Sequence, residues 1–391
     1  MTHCYRFSAL LCALAIPFLC GCATLDPTSR ALDLAAGLAD GELKDRLLQC
    51  DVRRFEPVDF SISHRGAPLG YPEHTKEGYL GAIKMGAGII ECDVTFTRDL
   101  ELVCRHSQCD LHRTTNVLQT PLAAQCNTPF TGATTDNPAL ARCCTSDLSL
   151  AEFRTLCGRR DIVDPTATNV ADYLTEPESV VVDAPITCGT LLTHRESIEL
   201  IDGYGRSFIP ELKRPEVAMP FAPGFDQQAY ASKMLAEYTD AGIAPERVYP
   251  QSFDRADVEY WIAKHPDFAA NSVYLDGRGR NPAFAATLED MQAIKRSGIN
   301  IIAPPIPMLL RIDAAGELQA SKYAELANAA GLDIVTWTFE SGLARLPGYV
   351  TNDAKMLEVL HALHTEVGIR GIFSDWPGTV TYYANCWGVD T

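Results

Sequence analysis

The stretch "IIECDVTFTRDLELVCRH", residues 89–106, decides how the rest of the chain is read. Its frame is apolar and β-branched, which predicts buried strand, yet Glu91 and Asp93 stand two residues apart and the segment closes on His106. Residues i and i+2 of a strand point to the same side, about 6.5–7 Å apart. Two ionised carboxylates there repel one another unless a cation sits between them or one holds a proton. A solvated surface strand does not fit Ile89, Ile90 and Val94, so the pair predicts a hard divalent cation bound through oxygen.

Outward from this stretch, apolar runs of strand length recur: FSIS (60–63), ELVC (101–104), SFIPEL (207–212), RVYPQSF (247–253), SVYLD (272–276), INIIAPP (299–305), DIVTWTF (333–339) and GIFSD (371–375). Helical spacing is clearest over 75–85, 228–241, 288–297, 322–330 and 353–367. Alternating strands and helices predict an α/β fold with a parallel sheet. The number of strands favours a (β/α)8 TIM barrel over an open doubly wound sheet, and no G-x-G-x-x-G or Walker sequence competes. In such a barrel functional side chains gather where strands end. His64, Glu91 and Asp93, His106, Glu211, Gln251 and Ser252, Trp337 and Asp375 all stand at such ends, which predicts one shared mouth.

At 391 residues and 47% hydrophobic the chain can bury a large core. A net charge of −17 argues against nucleic acid as a partner, so an anionic small molecule needs a local cationic site. Arg65 offers a forked donor set matched to phosphate oxygens. Glu211 and Lys213, again i and i+2, would add a third carboxylate to the ion and an ammonium to the phosphate. An imidazole titrates near neutral pH, so His64 and His106 can supply a base and an acid across a scissile bond. His74, His112 and His194 are read as surface residues.

The first 22 residues, MTHCYRFSALLCALAIPFLCGC, combine Arg6, a short apolar run broken by Pro17, and Leu19-Cys20-Gly21-Cys22. This predicts an export signal, the run being shorter than the roughly 20 residues a membrane span needs. The leucine, small residue and final cysteine resemble a bacterial lipobox, which implies cleavage before Cys22 and a lipid on its thiol. The chain would then be an outer-membrane lipoprotein of the bacterial envelope, touching the membrane through that lipid only; cleavage near Ala23 is the alternative. Residues 23–58, with a helical pattern from Leu32 to Leu48, are expected to be a tether and docking segment, and 59–391 the barrel.

Residues 108–205 break the barrel rhythm after the second or third strand. They hold Cys109, Cys126, Cys143, Cys144, Cys157 and Cys188, with no second C-x-x-C to suggest zinc, so in an exported chain they predict a disulfide-braced cap over the mouth. Cys92 and Cys104 lie inside strand runs, where a buried free thiol fits at least as well as a bridge. Cys92 is expected to face the helices.

In order and spacing, His64-Arg65-Gly66, Pro72-Glu73-His74-Thr75, Glu91-Cys92-Asp93, His106 and Glu211-Leu212-Lys213 resemble the signature of glycerophosphodiester phosphodiesterases. Trp337 and Asp375-Trp376-Pro377 follow the later strands as they do in that family. The resemblance implies one divalent cation, Ca2+ or Mg2+, on Glu91, Asp93 and Glu211, with acid/base catalysis by His64 and His106. It implies release of sn-glycerol 3-phosphate and an alcohol from a small-molecule glycerophosphodiester, with Arg65, Lys213, Trp337, Gln251 and Asp375 as substrate contacts. The chain departs from the pattern at His74, where the family carries Asn, and at Ser107, where it carries Asp. The cysteine-rich insertion resembles a secreted branch. Two rivals remain: phospholipase D-like cleavage of choline phospholipids on the same barrel, and a non-catalytic surface-binding lipoprotein. The Glu-Leu-Lys strand favours the small-diester enzyme, and two histidines beside three acids favour catalysis.

Overall fold

Inward and outward residues alternate along the strands of the ring, and this parity builds two cores. Ile62, Ile89, Ile209, Val273, Ile301, Val335 and Phe373 pack together inside the ring. Their sequence neighbours Ile90, Phe208, Tyr274, Ile302, Ile334 and Ile372 pack outward under the helices. The computed structural model describes residues 27–50, 55–176, 188–343, 346 and 348–389. The export signal and Cys22 lie outside the described residues.

The main sheet comprises β1 (Val58–Ser63), β2 (Ala87–Ile90), β3 (Asp93–Phe96), β4 (Leu102–Cys104), β5 (Ser207–Phe208), β6 (Glu211–Leu212), β7 (Gln251–Ser252), β8 (Val273–Leu275), β9 (Ile301–Ala303), β10 (Asp333–Thr336) and β11 (Gly371–Ser374). Their order is β4-β3-β6-β7-β8-β9-β10-β11-β1-β2-β5. Ile90 pairs with Phe208 and Asp93 with Glu211, the same register on both sides of Glu91-Cys92. So β2 and β3 are one interrupted strand, as are β5 and β6, and eight parallel strands close the (β/α)8 ring.

ELVC departs from the parallel expectation. β4 runs antiparallel to β3, with Cys104 opposite Val94 and Leu102 opposite Phe96, and lies outside the ring. The alternating pattern of a strand does not encode its direction; here the turn at Thr97–Leu100 reverses the chain, with Leu100 N–H donating to Thr97 O. This hairpin carries Arg105 and His106 back to the mouth, where Arg105 N–H donates to Asp93 O at 2.8 Å.

The helical spacing read over 75–85 appears as the helix Lys76–Lys84, capped by the Thr75 hydroxyl, which accepts from Gly78 N–H at 3.2 Å. The pattern from Leu32 to Leu48 is two helices, α1 (Pro27–Ala36) and α2 (Glu42–Gln49), separated around Gly37 and Gly41. They rest on the C-terminal helix α3 (Pro377–Trp387): Arg46 donates to Trp387 O at 2.9 Å, and Cys50 is bonded to Cys386.

The insertion has its own apolar core, with Leu111, Val117, Leu148, Phe153 and Tyr173 buried together. Cys109–Cys144, Cys126–Cys143 and Cys157–Cys188 bridge it. Within the 108–205 stretch, the helix His194–Asp202 instead packs Ile198 and Ile201 into the barrel's outer core. His194 is fully buried there and bonds Glu237 through Nδ1 at 2.9 Å, which corrects its reading as a surface residue. Cys92 and Cys104 are bonded to each other, which corrects the free-thiol reading. Cys92 belongs to the outer core and so faces the helices.

Candidate active site

Continuing the inward parity past each strand end gives the site. Ile62 leads to His64, Ile89 to Glu91 and Asp93, Ile209 to Glu211 and Lys213, Val335 to Trp337 and Phe373 to Asp375. His64, Arg65, Glu91, His106, Glu211, Lys213 and Trp337 together line one cavity of 280 Å3 at the mouth. The remaining three of the expected residues, Asp93, Gln251 and Asp375, stand behind that wall.

The turn after β1 is the tightest part of the site. Arg65 and Gly66 are left-handed, with φ of 52° and 93°, and a Cβ on Gly66 would lie 2.9 Å from the backbone of Gly78. The turn aims Arg65 N–H at Glu91 Oε2, 2.8 Å away, while the guanidinium donates to Glu73 Oε2 at 3.1 Å.

Glu91, Asp93 and Glu211 bring one carboxylate oxygen each to within 4.8 Å of one another, all three buried. Burial, Asp93 and Glu211 push the Glu91 carboxyl well above its usual range. Burial pushes Glu211 up to about 7, against the pull of Lys213 and helped by Asp93. Lys213 Nζ lies 2.8 Å from Glu211 Oε1 and 3.8 Å from Asp93 Oδ1. Asp93 Oδ1 is buried and accepts no hydrogen bond among the described residues. An oxygen donor set of this kind fits a hard divalent cation. Three ionised acids facing Arg65 and Lys213 leave one negative charge in excess; a divalent cation makes that one positive, the sign an anionic phosphodiester requires.

Around these acids the chain has built supports. His74 is fully buried, with Nε2 at 2.8 Å from Asp93 Oδ2 and Nδ1 at 2.9 Å from the Tyr79 hydroxyl, so it is no surface histidine. It stands where the resembling motif carries Asn and fixes the second oxygen of Asp93. Gln251 donates to Glu91 Oε1 at 3.0 Å and does not line the cavity, so its amide meets an acid of the cluster in place of the expected substrate contact. Glu73 is buried between Arg65 and Arg105; burial pushes its carboxyl up, but the two guanidiniums overcome this and hold it at about 2.

The two histidines sit differently. His64 Nδ1 lies 2.5 Å from Asp375 Oδ1, which leaves Nε2 to face the cavity. One ring nitrogen of His106 lies within 4.8 Å of a carboxylate oxygen of Glu73 and one of Asp110. Burial first, then Lys213 and Arg65, depress its pKa well below the usual imidazole range. Ser107, where the motif carries Asp, contacts Glu216, and its N–H donates to Asp110 Oδ2 at 2.9 Å. His112 is half-buried and does not line the cavity.

Sequence reasoning missed Glu340 altogether. Its half-buried carboxylate accepts from Ser374 Oγ at 2.8 Å, Asp375 N–H at 2.7 Å and Trp376 N–H at 3.2 Å, fixing the loop that carries Asp375. It lies on a short helix, Phe339–Leu343, with no periodic signal to betray it. Trp337 donates its indole N–H to Ala303 O at 2.7 Å and meets Phe253 edge to face, so one face of the ring borders the cavity.

Comparison with known proteins accords with this arrangement. An extracellular protein of Arthroderma benhamiae is 37% identical over 244 residues, which cover 59% of this chain and 100% of that one. A crystal structure of a glycerophosphoryl diester phosphodiesterase candidate from Silicibacter pomeroyi DSS-3 superposes with a TM-score of 0.59 at 22% identity, covering 86% of this chain and 96% of that one. An Oleispira antarctica phosphodiesterase, solved with the product sn-glycerol-3-phosphate, superposes with a TM-score of 0.51 at 17% identity, covering 83% and 96%. At these identities the two structures share the fold. The model of the glycerophosphoryl diester phosphodiesterase family matches residues 64–379, from the first cavity histidine to the start of the last helix. The chain therefore belongs to the glycerophosphoryl diester phosphodiesterase family and is an enzyme of its phosphodiester-hydrolysing class.

Proposed function

We propose that the mouth hydrolyses glycerophosphodiesters to sn-glycerol 3-phosphate and an alcohol, with Glu91, Asp93 and Glu211 holding Ca2+ or Mg2+ and with His64 and His106 as base and acid. The observation that carries this is three buried carboxylates within 4.8 Å of one another, beside a cavity that His64, His106, Arg65 and Lys213 line. A divalent cation, when bound, supplies positive charge beside a phosphoryl oxygen and lowers the pKa of an adjacent hydroxyl.

The protein's own groups do the rest. Arg65 and Lys213 donate to the phosphoryl oxygens and offset charge developing there. Asp375 accepts from His64 Nδ1–H, so Nε2 carries the lone pair and takes the proton from the nucleophile, a substrate hydroxyl or water. His106 delivers a proton to the leaving oxygen as its bond to phosphorus breaks. Burial first, then Lys213 and Arg65, disfavour the protonated form of His106, and the substrate anion offsets the two cations. Trp337 walls the glycerol side, and the disulfide-braced insertion caps the mouth.

Export is supported by the five disulfides and by the extracellular relative. Anchoring through a lipid on Cys22 is the finer proposal; among the described residues no helix is long and apolar enough to cross a membrane. Incorporation of labelled lipid into the wild type and its loss in Cys22→Ala would support it, and a wild type without label would sink it.

The decisive experiment follows glycerol 3-phosphate release from glycerophosphocholine, glycerophosphoethanolamine and glycerophosphoinositol, with and without chelator. Metal-restored release is expected. Turnover of intact choline phospholipid alone would replace this reading with the phospholipase D-like one, and binding without turnover would replace it with a non-catalytic module.

A further inference from the structure

A second cleft, of 720 Å3, opens from the first and shares His106, Glu211, Lys213, Phe253 and Arg280 with it, but not His64. On the hydrolysis reading above, the group beyond His106 is the leaving alcohol. The chemistry of this cleft therefore bears on which alcohol the enzyme takes.

The acids that line it are already engaged by the protein. Glu216 is held by Arg142 at 3.3 Å and by Ser107. Asp257 accepts from Gln227 at 3.0 Å and Ser252 at 2.9 Å, and Asp254 caps its helix by accepting from Ala256 N–H at 3.0 Å. Glu211 belongs to the carboxylate cluster with Lys213. The arginines differ: Arg214 and Arg280 are exposed and form no ion pair with an acid of the described residues. In a chain of net charge −17, two unpaired guanidiniums facing one cleft are the groups left to meet a ligand.

The aromatic residues point the same way. A quaternary ammonium is recognised by open aromatic faces. Of the two rings near Arg280, only Phe253 lines the second cleft; the guanidinium lies 5.0 Å from its centroid, so a cationic headgroup would meet a like charge at that ring.

We propose that Arg214 and Arg280 make the second cleft a subsite for a leaving alcohol that carries its own anionic group. The favoured substrates are then glycerophosphodiesters whose alcohol is itself phosphorylated, ahead of choline and ethanolamine diesters. This rests on the hydrolysis reading of the first cleft.

The test compares kcat/KM on three diesters: bis(glycerophospho)glycerol, whose leaving alcohol bears a second phosphate, glycerophosphoglycerol, whose leaving alcohol is neutral, and glycerophosphocholine, whose leaving alcohol is cationic. Wild type is expected to prefer the first by about tenfold or more, with the preference narrowing as salt is raised. In Arg214→Glu/Arg280→Glu the ratio of anionic to cationic substrate should fall about 10- to 100-fold, mainly through KM, a charge-assisted contact having been reversed. Both arginines are exposed, and an unchanged melting temperature checks the fold. Equal kcat/KM on all three diesters, or an unchanged ratio in the folded variant, overturns the subsite while leaving hydrolysis intact. Turnover of none of the three overturns the hydrolysis reading and the subsite with it.

Discussion

Asp375 and His64 meet at 2.5 Å between neighbouring strands, the last and the first of the ring, so closing the barrel is what completes the pair. A carboxylate at Nδ1 fixes the tautomer that leaves Nε2 as an acceptor. Asp375→Asn would present an amide N–H to the same nitrogen and favour the other tautomer. We expect kcat to fall about 10²- to 10⁴-fold with KM little changed. Steady-state kinetics decide this, and a variant with near wild-type kcat would remove the base role from His64.

His106 as acid predicts a dependence on the leaving group. His106→Ala should lose about 10²- to 10⁴-fold on glycerophosphocholine, whose alkoxide needs a proton. A p-nitrophenyl diester, whose phenolate leaves without one, should restore most of the rate, whereas His64→Ala should stay slow on both. Rescue of His64→Ala in place of His106→Ala would exchange the two roles.

Cation binding should be linked to pH through the buried acids. Burial pushes Glu211 up to about 7 and Glu91 well above its usual range, so without metal their protonated forms favour the folded state. That contribution is full below the ordinary glutamate pKa and is lost as pH rises through the raised values. Cation binding requires the ionised forms, so the melting-temperature gain on adding Ca2+ or Mg2+ should grow between about pH 5.5 and pH 8. A gain that shrinks over this range would exclude the three-carboxylate site.

The Cys92–Cys104 disulfide joins the strand of the carboxylates to the hairpin that carries His106. Cys92→Ala/Cys104→Ala should lower stability by about 3 kcal/mol by the chain-entropy estimate for so short a loop. It should also reduce kcat by about 10- to 100-fold through misplaced reacting groups. Cys126→Ala/Cys143→Ala, in the insertion, should lower the melting temperature with little effect on kcat. Equal kcat losses in the two variants would deny the first bridge any special part in positioning.

Much of the barrel and most of the site could be read from parity alone. Once Ile62, Ile89, Ile209, Val335 and Phe373 were buried strand residues, their i+2 neighbours had to converge at one mouth. What stayed hidden depends on facts the pattern does not carry. ELVC alternates equally well in either direction, so the antiparallel β4 and its disulfide appeared only with the pairing. His74 and His194 looked like surface residues because the carboxylates they bond inside the fold, Asp93 and Glu237, are distant in sequence. Glu340, Arg214 and Arg280 lie on short helices or loops, where no period marks an inward face.

The Cys50–Cys386 bond gives the chain a different kind of continuity. It joins residues 336 apart and makes almost the whole described chain a covalent loop. In the chain-entropy picture a loop of that length is worth about 6 kcal/mol. It also sets the route of mechanical load: a pull on α1 or α2 can pass through sulfur into α3 without first unzipping β1 from its neighbours. A single proteolytic cut within the loop would leave the fragments joined. Such a barrel can be tugged or nicked at its periphery while His64 and Asp375, on the two strands that flank the closure, keep their registry.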